Sequence, residues 1–195
     1  MDLGFTDRTV LVTGASSGVG LATTRMLLAE GARVAACARD GDRLERALDG
    51  ATGELHTASC DVLDEAAVRD FVEQAAERFG GVDGVVNNAG RSLMAGIEDT
   101  GAQQWRDELD LKIFSVLHVV RAALPWLRRS DAAALVNVNA ILARQPESRL
   151  AATSAARAAL LNLTKTLAAD LAADAIRVNS VCLGLIDTGQ WRRRY

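Results

Sequence analysis

The sequence predicts an α/β fold, a doubly wound parallel sheet with helices on both faces. Three observations carry that expectation. Short apolar runs alternate with helical stretches along the whole chain, and such alternation builds a parallel sheet covered on both sides. The first run, Thr9-Val10-Leu11-Val12, passes through the turn Thr13-Gly14-Ala15-Ser16-Ser17-Gly18-Val19-Gly20 straight into a helical stretch. No linker, repeat or low-complexity segment interrupts the pattern, so the 195 residues read as one domain, long enough to bury a full core.

The candidate strands lie at 8–13, 33–38, 55–60, 83–87, 133–138 and 176–181, each short, apolar and bounded by Gly, Asp or Asn. The helical stretches fall near 18–30, 42–48, 64–79, 102–129 and 150–173. In the last of these, Leu160, Leu163, Leu167 and Leu171 recur three and four apart on one face. Right-handed crossovers then favour the strand order 3-2-1-4-5-6.

The glycine turn is the strongest functional signal. Glycine permits the tight turn and lets the backbone approach a pyrophosphate without a Cβ in the way. The helix that follows offers unpaired N–H groups and a partial positive charge to an anion. Gly14, Ser16, Ser17, Gly18, Val19 and Gly20 are therefore candidate dinucleotide-binding residues. In open α/β sheets ligands sit at the carboxyl ends of the strands. Those ends carry Ala38-Arg39-Asp40, Asp61-Val62, Asn87-Asn88-Ala89-Gly90, Asn137-Val138-Asn139-Ala140 and Gly184-Leu185-Ile186-Asp187-Thr188.

Charge and composition exclude other classes. A net charge of −3 argues against a nucleic-acid surface. No apolar run approaches the ~18 residues that span a bilayer, and the N-terminus lacks a signal pattern. Cys37, Cys60 and Cys182 have no metal-ligand spacing and fit buried thiols of a reducing cytoplasm. No metal site is expected. His56 and His118 read as packing residues.

The motif Thr13-Gly14-x-x-x-Gly18-x-Gly20, with Asp61-Val62, Asn87-Asn88-Ala89-Gly90, the Asn137 strand and Arg177-Val178-Asn179 leading to Gly184-x-Ile186-x-Thr188, resembles the short-chain dehydrogenase/reductase family over essentially the whole chain. The resemblance implies a Rossmann-type sheet and hydride transfer between NAD(P) and a carbonyl or alcohol. It assigns Asp61 to the adenine amine, Asn87 and Asn88 to bracing the central strands, and Thr188 to the carboxamide or pyrophosphate. Val62, Ala89, Gly90, Gly184 and Ile186 join them as cofactor-binding positions. The helical stretches 102–129 and 150–173 resemble those through which family members pair, implying a homodimer or homotetramer.

The tip of the second strand bears on the cofactor. An acid there accepts from a ribose 2′-hydroxyl, but the tip is Ala38. Arg39 can pair with a 2′-phosphate through its planar fork, which favours NADP(H) over NAD(H). Asp40, two residues past the tip, could instead play the acid.

The catalytic positions depart from the family. The resemblance places Ala140 at the serine, Thr153 at the tyrosine, Arg157 at the lysine and Lys112 at the asparagine. The only tyrosine is Tyr195. A phenol has a pKa of about 10, and an aliphatic hydroxyl lies roughly five units higher, some ~7 kcal/mol against forming the anion. A positioned acid or base is worth about 10²–10⁴ in rate, so weak hydride transfer can survive the loss. Lys112, with a free pKa of about 10.4, is the candidate replacement acid, with Asn139 and Thr153 orienting the carbonyl and Arg157 holding the nicotinamide ribose. The alternatives are that Lys112 is a structural charge or that it points to solvent. Ser154, one residue on from Thr153, points about 100° away on a helix and reads as a bystander.

Relatives of this kind continue into substrate-covering helices and a further strand, so the substrate-covering C-terminal segment is expected to be absent and the sixth strand left as an edge. The run Arg192-Arg193-Arg194 reads as a solvated segment or a phosphate contact. The expectation is an NADP(H)-dependent oxidoreductase with a rearranged site and a small carbonyl or alcohol substrate. The other readings are a dinucleotide-binding sensor or scaffold without turnover, and an inactive fragment of a longer reductase.

Overall fold

The computed structural model describes residues 3–189. Its elements run β1 (Thr9–Thr13), α1 (Gly18–Ala29), β2 (Arg33–Ala38), α2 (Gly41–Leu48), β3 (Leu55–Ser59), α3 (Glu65–Phe79) and β4 (Gly84–Asn87). They continue α4 (Ala102–Leu109), a π-helical turn (Asp110–Phe114), α5 (Ser115–Leu127), β5 (Ala134–Ala140), α6 (Ala151–Asp170) and β6 (Arg177–Leu183). The six strands form one sheet in the order 3-2-1-4-5-6, and every pairing is parallel. The expected doubly wound architecture is the one observed.

Side-chain alternation along the strands divides the core. Leu11, Ala35 and Cys37 point to one face and pack with Phe71 and Val72 of α3, Val119 and Ala123 of α5, and Leu160 of α6. Val10, Val12, Val34 and Ala36 point to the other and meet Leu27 and Leu28 of α1 and Leu44 and Leu48 of α2. Burying one large apolar side chain contributes about 1.5–3 kcal/mol, so each sheet face is held by many such terms. Helix starts follow the local chemistry. The Asp40 carboxylate accepts from Arg43 N at 2.9 Å at the head of α2, and Asp64 accepts from Ala66 N and Ala67 N at the head of α3.

Two boundaries differ from the sequence reading. The stretch expected as one helix over 102–129 is divided by the π turn, where Ser115 N–H reaches back five residues to Asp110 O. The Ser115 hydroxyl also donates to Leu111 O at 2.6 Å, competing with the backbone ladder at that point. The fifth and sixth strands reach two residues further than their apolar runs, pairing Asn139 with Cys182 and Ala140 with Leu183. The extension carries Asn139 and Ala140 on the strand itself to the carboxyl edge of the sheet.

Between strands, buried amides tie β4 to β5 and α6. Asn87 Nδ2 donates to Asn137 Oδ1 at 2.9 Å, Asn137 Nδ2 to Thr164 Oγ1 at 2.9 Å, and Thr164 Oγ1 to Leu160 O at 2.8 Å. Among the described residues no helix is long and apolar enough to cross a membrane.

Candidate active site

A cavity of about 850 Å³ runs along the carboxyl ends of the strands. Its centre is the turn between β1 and α1. Gly14 has φ +68°, and a Cβ there would lie 2.8 Å from Ala89 Cα. Thr13 and Asn88 lock the turn. Thr13 Oγ1 accepts from Asn88 N and Ala89 N, both at 3.0 Å, while Asn88 Nδ2 donates to Thr13 O at 2.9 Å and Gly14 O at 3.1 Å. Ser17 begins α1 in an extended conformation and makes no side-chain capping bond. The first turn of α1 therefore has no side-chain acceptor at its head, and Ser17, Gly18 and Val19 line the cavity there, the arrangement that receives a phosphate. A dinucleotide fits this cradle: Gly14 lets the turn close against Ala89, and the uncapped helix terminus beside it lines the cavity.

Ser16, Ser17, Gly18 and Val19 line the cavity with Gly14, as expected. Gly20 does not. A Cβ on it would meet both Asn88 Nδ2 and Gly14 O at 2.4 Å, so this glycine serves the packing of the turn rather than contact with a ligand. Asp61, Val62, Asn88, Ala89 and Gly90 line the middle of the cavity, and Gly184, Ile186 and Thr188 line its far wall. Thr188 stands against the turn, its Cγ2 3.3 Å from the Cβ position of Gly18. The Arg192–Arg194 run and Tyr195 lie outside the described residues.

At the β2 end the cavity is lined by Arg39, Asp40 and Arg43. Asp40 is engaged as the cap of α2. Arg43 went unnoticed in the sequence. Its place follows from Asp40, because the capped first turn of α2 carries Arg43 beside Arg39 at the same mouth.

At the opposite end lie Asn139, Ala140 and Arg157. Arg157 donates to Val138 O at 3.0 Å, and its Nε is buried with no partner among the described residues. Burial lowers the guanidinium from its ordinary range, although Glu108 and Cys182 oppose that shift. Asn139 is spent internally, donating to Arg157 O at 3.1 Å and accepting from Ala140 N at 2.8 Å. It braces the wall instead of presenting its amide to a substrate.

Lys112 and Thr153 also depart from expectation. Arg157 acts electrostatically on Lys112, but neither Lys112 nor Thr153 lines the cavity; Lys112 is 3% and Thr153 0% exposed. They close around Glu108, a residue the sequence reading missed. Glu108 Oε2 accepts from Lys112 Nζ at 2.8 Å and from Thr153 Oγ1 at 2.6 Å. Lys112 Nζ also donates to Arg91 O at 2.6 Å. Thr153 Oγ1 accepts from Leu93 N at 3.0 Å and lies 3.3 Å from Leu93 O. Burial pulls the lysine down to about 8, against the pull of Glu108 upward, with Arg157 and Arg91 adding to the depression. Lys112 and Thr153 are thus joined through a carboxylate behind the cavity wall, while Arg157 alone of the three lines the cavity.

The remaining candidates are structural. His118 Nδ1 lies 3.1 Å from Val62 O, and His56 stacks on Phe71. Ser154 is more than a bystander: its Oγ accepts from Glu147 N at 3.3 Å and fixes the loop before α6. The thiols of Cys37 and Cys60 interact, which raises the first and lowers the second.

A family model described as short chain dehydrogenase matches residues 8–194. An uncharacterized oxidoreductase of Staphylococcus epidermidis is 31% identical over 182 residues, covering 93% of this chain and 79% of that protein. An NADPH-bound short chain oxidoreductase from Pseudomonas aeruginosa, described as containing an atypical catalytic center, superposes with a TM-score of 0.94 at 46% identity, over 96% of this chain and 75% of its own. The L-sorbose reductase of Gluconobacter frateurii, solved with NADPH and L-sorbose, gives a TM-score of 0.94 at 31% identity, over 100% of this chain and 75% of its own.

Proposed function

The chain belongs to the short-chain dehydrogenase family of oxidoreductases, and from that premise we propose that it interconverts a small carbonyl compound and its alcohol with NADP(H). The observation that carries the proposal is one continuous cavity with a paired-arginine mouth at β2 and a half-buried arginine at the opposite end. Arg39 and Arg43 suit a 2′-phosphate, since guanidinium groups form paired charge-assisted bonds to phosphate oxygens. The Asp40 carboxylate commits Oδ1 to capping α2, which leaves the two arginines as the charged groups free to meet a phosphate at this mouth. Two relatives of known structure were solved with NADPH.

When bound, the nicotinamide supplies the hydride. Ser17, Gly18 and Val19 would hold the pyrophosphate at the head of α1, with Thr188 beside the same turn. Arg157 meets the ribose and the substrate oxygen. Its fixed charge, in a half-buried wall, would stabilise negative charge on a substrate oxygen. Arginine does not release its proton usefully, so the alcohol proton comes from solvent in the cavity. The acid role expected of Lys112 would require its ammonium to leave Glu108 and Arg91 O and turn through the wall. The free thiols Cys37, Cys60 and Cys182 fit a reducing cytoplasm. The exposed Phe114 and Leu109 on the helix of α4 and α5 suit pairing of two copies.

A second reading is a dinucleotide-binding protein without turnover. The enclosure of Lys112 and Thr153 favours it, because among the described residues no phenol or lysine ammonium lines the cavity. Calorimetric titration with NADPH and NADH, followed by a turnover screen over aldehydes, ketones and secondary alcohols, separates the two. NADPH preference with turnover supports the reductase. NADPH preference without turnover supports the second reading, and binding of neither cofactor removes both.

A further inference from the structure

Glu108 sits where three chain segments meet and touches none of the cavity. It receives Lys112 from one turn further along its own helix and Thr153 from α6. Those two residues in turn hold the segment after β4. Lys112 takes Arg91 O, and Thr153 takes Leu93 N. The residues just before that anchored point, Ala89 to Ser92, form cavity wall. At its other end the segment is pinned by Thr13 Oγ1 to Asn88 N and Ala89 N. The wall is therefore a short bridge with two abutments, and the second abutment is a buried carboxylate.

We propose that Glu108 is a positioning residue, which through Lys112 and Thr153 sets the Ala89–Leu93 wall against the nicotinamide half of the dinucleotide. The role rests on the reading that the cavity takes such a cofactor. The geometry explains why a lysine and a threonine occupy interior positions: each spends its polar atoms on the carboxylate and on loop backbone. The groups facing Lys112 are Glu108, Arg157 and Arg91. Without the carboxylate, two cations and no anion would surround the ammonium's position, so the ammonium would no longer be held and its bond to Arg91 O would weaken. Hydrogen bonds to charged groups are the stronger ones, and breaking one leaves its partner buried and unsatisfied.

The test uses Glu108→Gln, which keeps the volume and an acceptor for Thr153, and Glu108→Leu, which removes both contacts. Two ligands report on the two halves of the cavity: NADPH spans it, and 2′,5′-ADP occupies only the adenosine half. Glu108→Gln is expected to weaken NADPH about tenfold and leave 2′,5′-ADP unchanged, and Glu108→Leu to weaken NADPH further. Amide exchange at Leu93, read by NMR without any ligand, is expected to quicken about tenfold in Glu108→Leu and less in Glu108→Gln. If Glu108→Leu does not fold, Glu108→Gln alone decides. Unchanged Leu93 exchange in a folded variant overturns the proposal, as does an equal loss of both ligands, which marks a global effect. If the parent protein binds neither ligand, the cofactor reading fails and the positioning role toward the cofactor falls with it. Leu93 exchange then still reports whether Glu108 fixes the wall.

Discussion

The two ends of the cavity are built in different materials. The pyrophosphate end is backbone: a turn whose glycines leave no room for a Cβ, fastened by Thr13 and Asn88. The opposite end is side chain: Arg157 lines the wall and bonds Val138 O, and behind it Glu108 holds Lys112 and Thr153, which bond the loop at Arg91 O and Leu93 N. A backbone site tolerates almost no change at a few positions. A side-chain site can exchange its residue types and still fill its volume.

The largest effect expected of a single change is at Gly20. A Cβ there meets Gly14 O at 2.4 Å, and that backbone atom cannot swing aside. Gly20→Ala should weaken NADPH by about a thousandfold, roughly 4 kcal/mol, beyond the usual range of overpacking. Near-parental binding in calorimetry would show that the backbone end is softer than described.

Lys112 gives the next effect, and its sign is set by burial. The folded protein releases this proton near 8, while the unfolded chain holds it to near the ordinary 10.5. Between those values the unfolded state binds more protons, so stability rises with pH. At about 1.4 kcal/mol for each tenfold change the rise totals roughly 3 kcal/mol. Urea unfolding at pH 7.5 and pH 10 should show it in the parent and not in Lys112→Met. A flat difference between the two proteins would mean that the ammonium is less enclosed than its 3% exposure indicates.

Smaller effects belong to the adenosine mouth. Arg39→Ala combined with Arg43→Ala should cut the NADPH-to-NADH affinity ratio about thirtyfold, roughly 2 kcal/mol, while NADH binding holds. A ratio that stays put would assign the 2′-phosphate elsewhere. Asp40→Ala removes a helix cap and should cost about 1 kcal/mol in thermal unfolding. A gain of NADH affinity in that variant would argue that the carboxylate repels or replaces a phosphate, and that capping is not its main role.

Legibility in the sequence followed the same division. Strand order and the glycine turn could be read because they depend on residues close in the chain. Gly20 could be placed in the turn but not assigned its job, which depends on Asn88, 68 residues away. Glu108 was harder still. A glutamate four residues before a lysine on a helix reads as a surface pair, and nothing local shows that Thr153 arrives from 45 residues on to bury it. Arg43 was hidden for a simpler reason: it counts as one more charge on an exposed turn until Asp40 fixes the helix start.

The π turn between α4 and α5 acts as an angular shim. It carries one residue more than the α-helical turn it replaces, so the two halves of the rod are out of phase by about 100° relative to an unbroken helix. Deleting one residue from Asp110–Phe114 would make a more regular helix and a worse enzyme. With α5 held by the core, the upstream half would have to revolve, carrying Glu108 away from Thr153. The irregularity is thus a timing device in space, and insertions or deletions elsewhere in these helices should be tolerated only when they restore its phase.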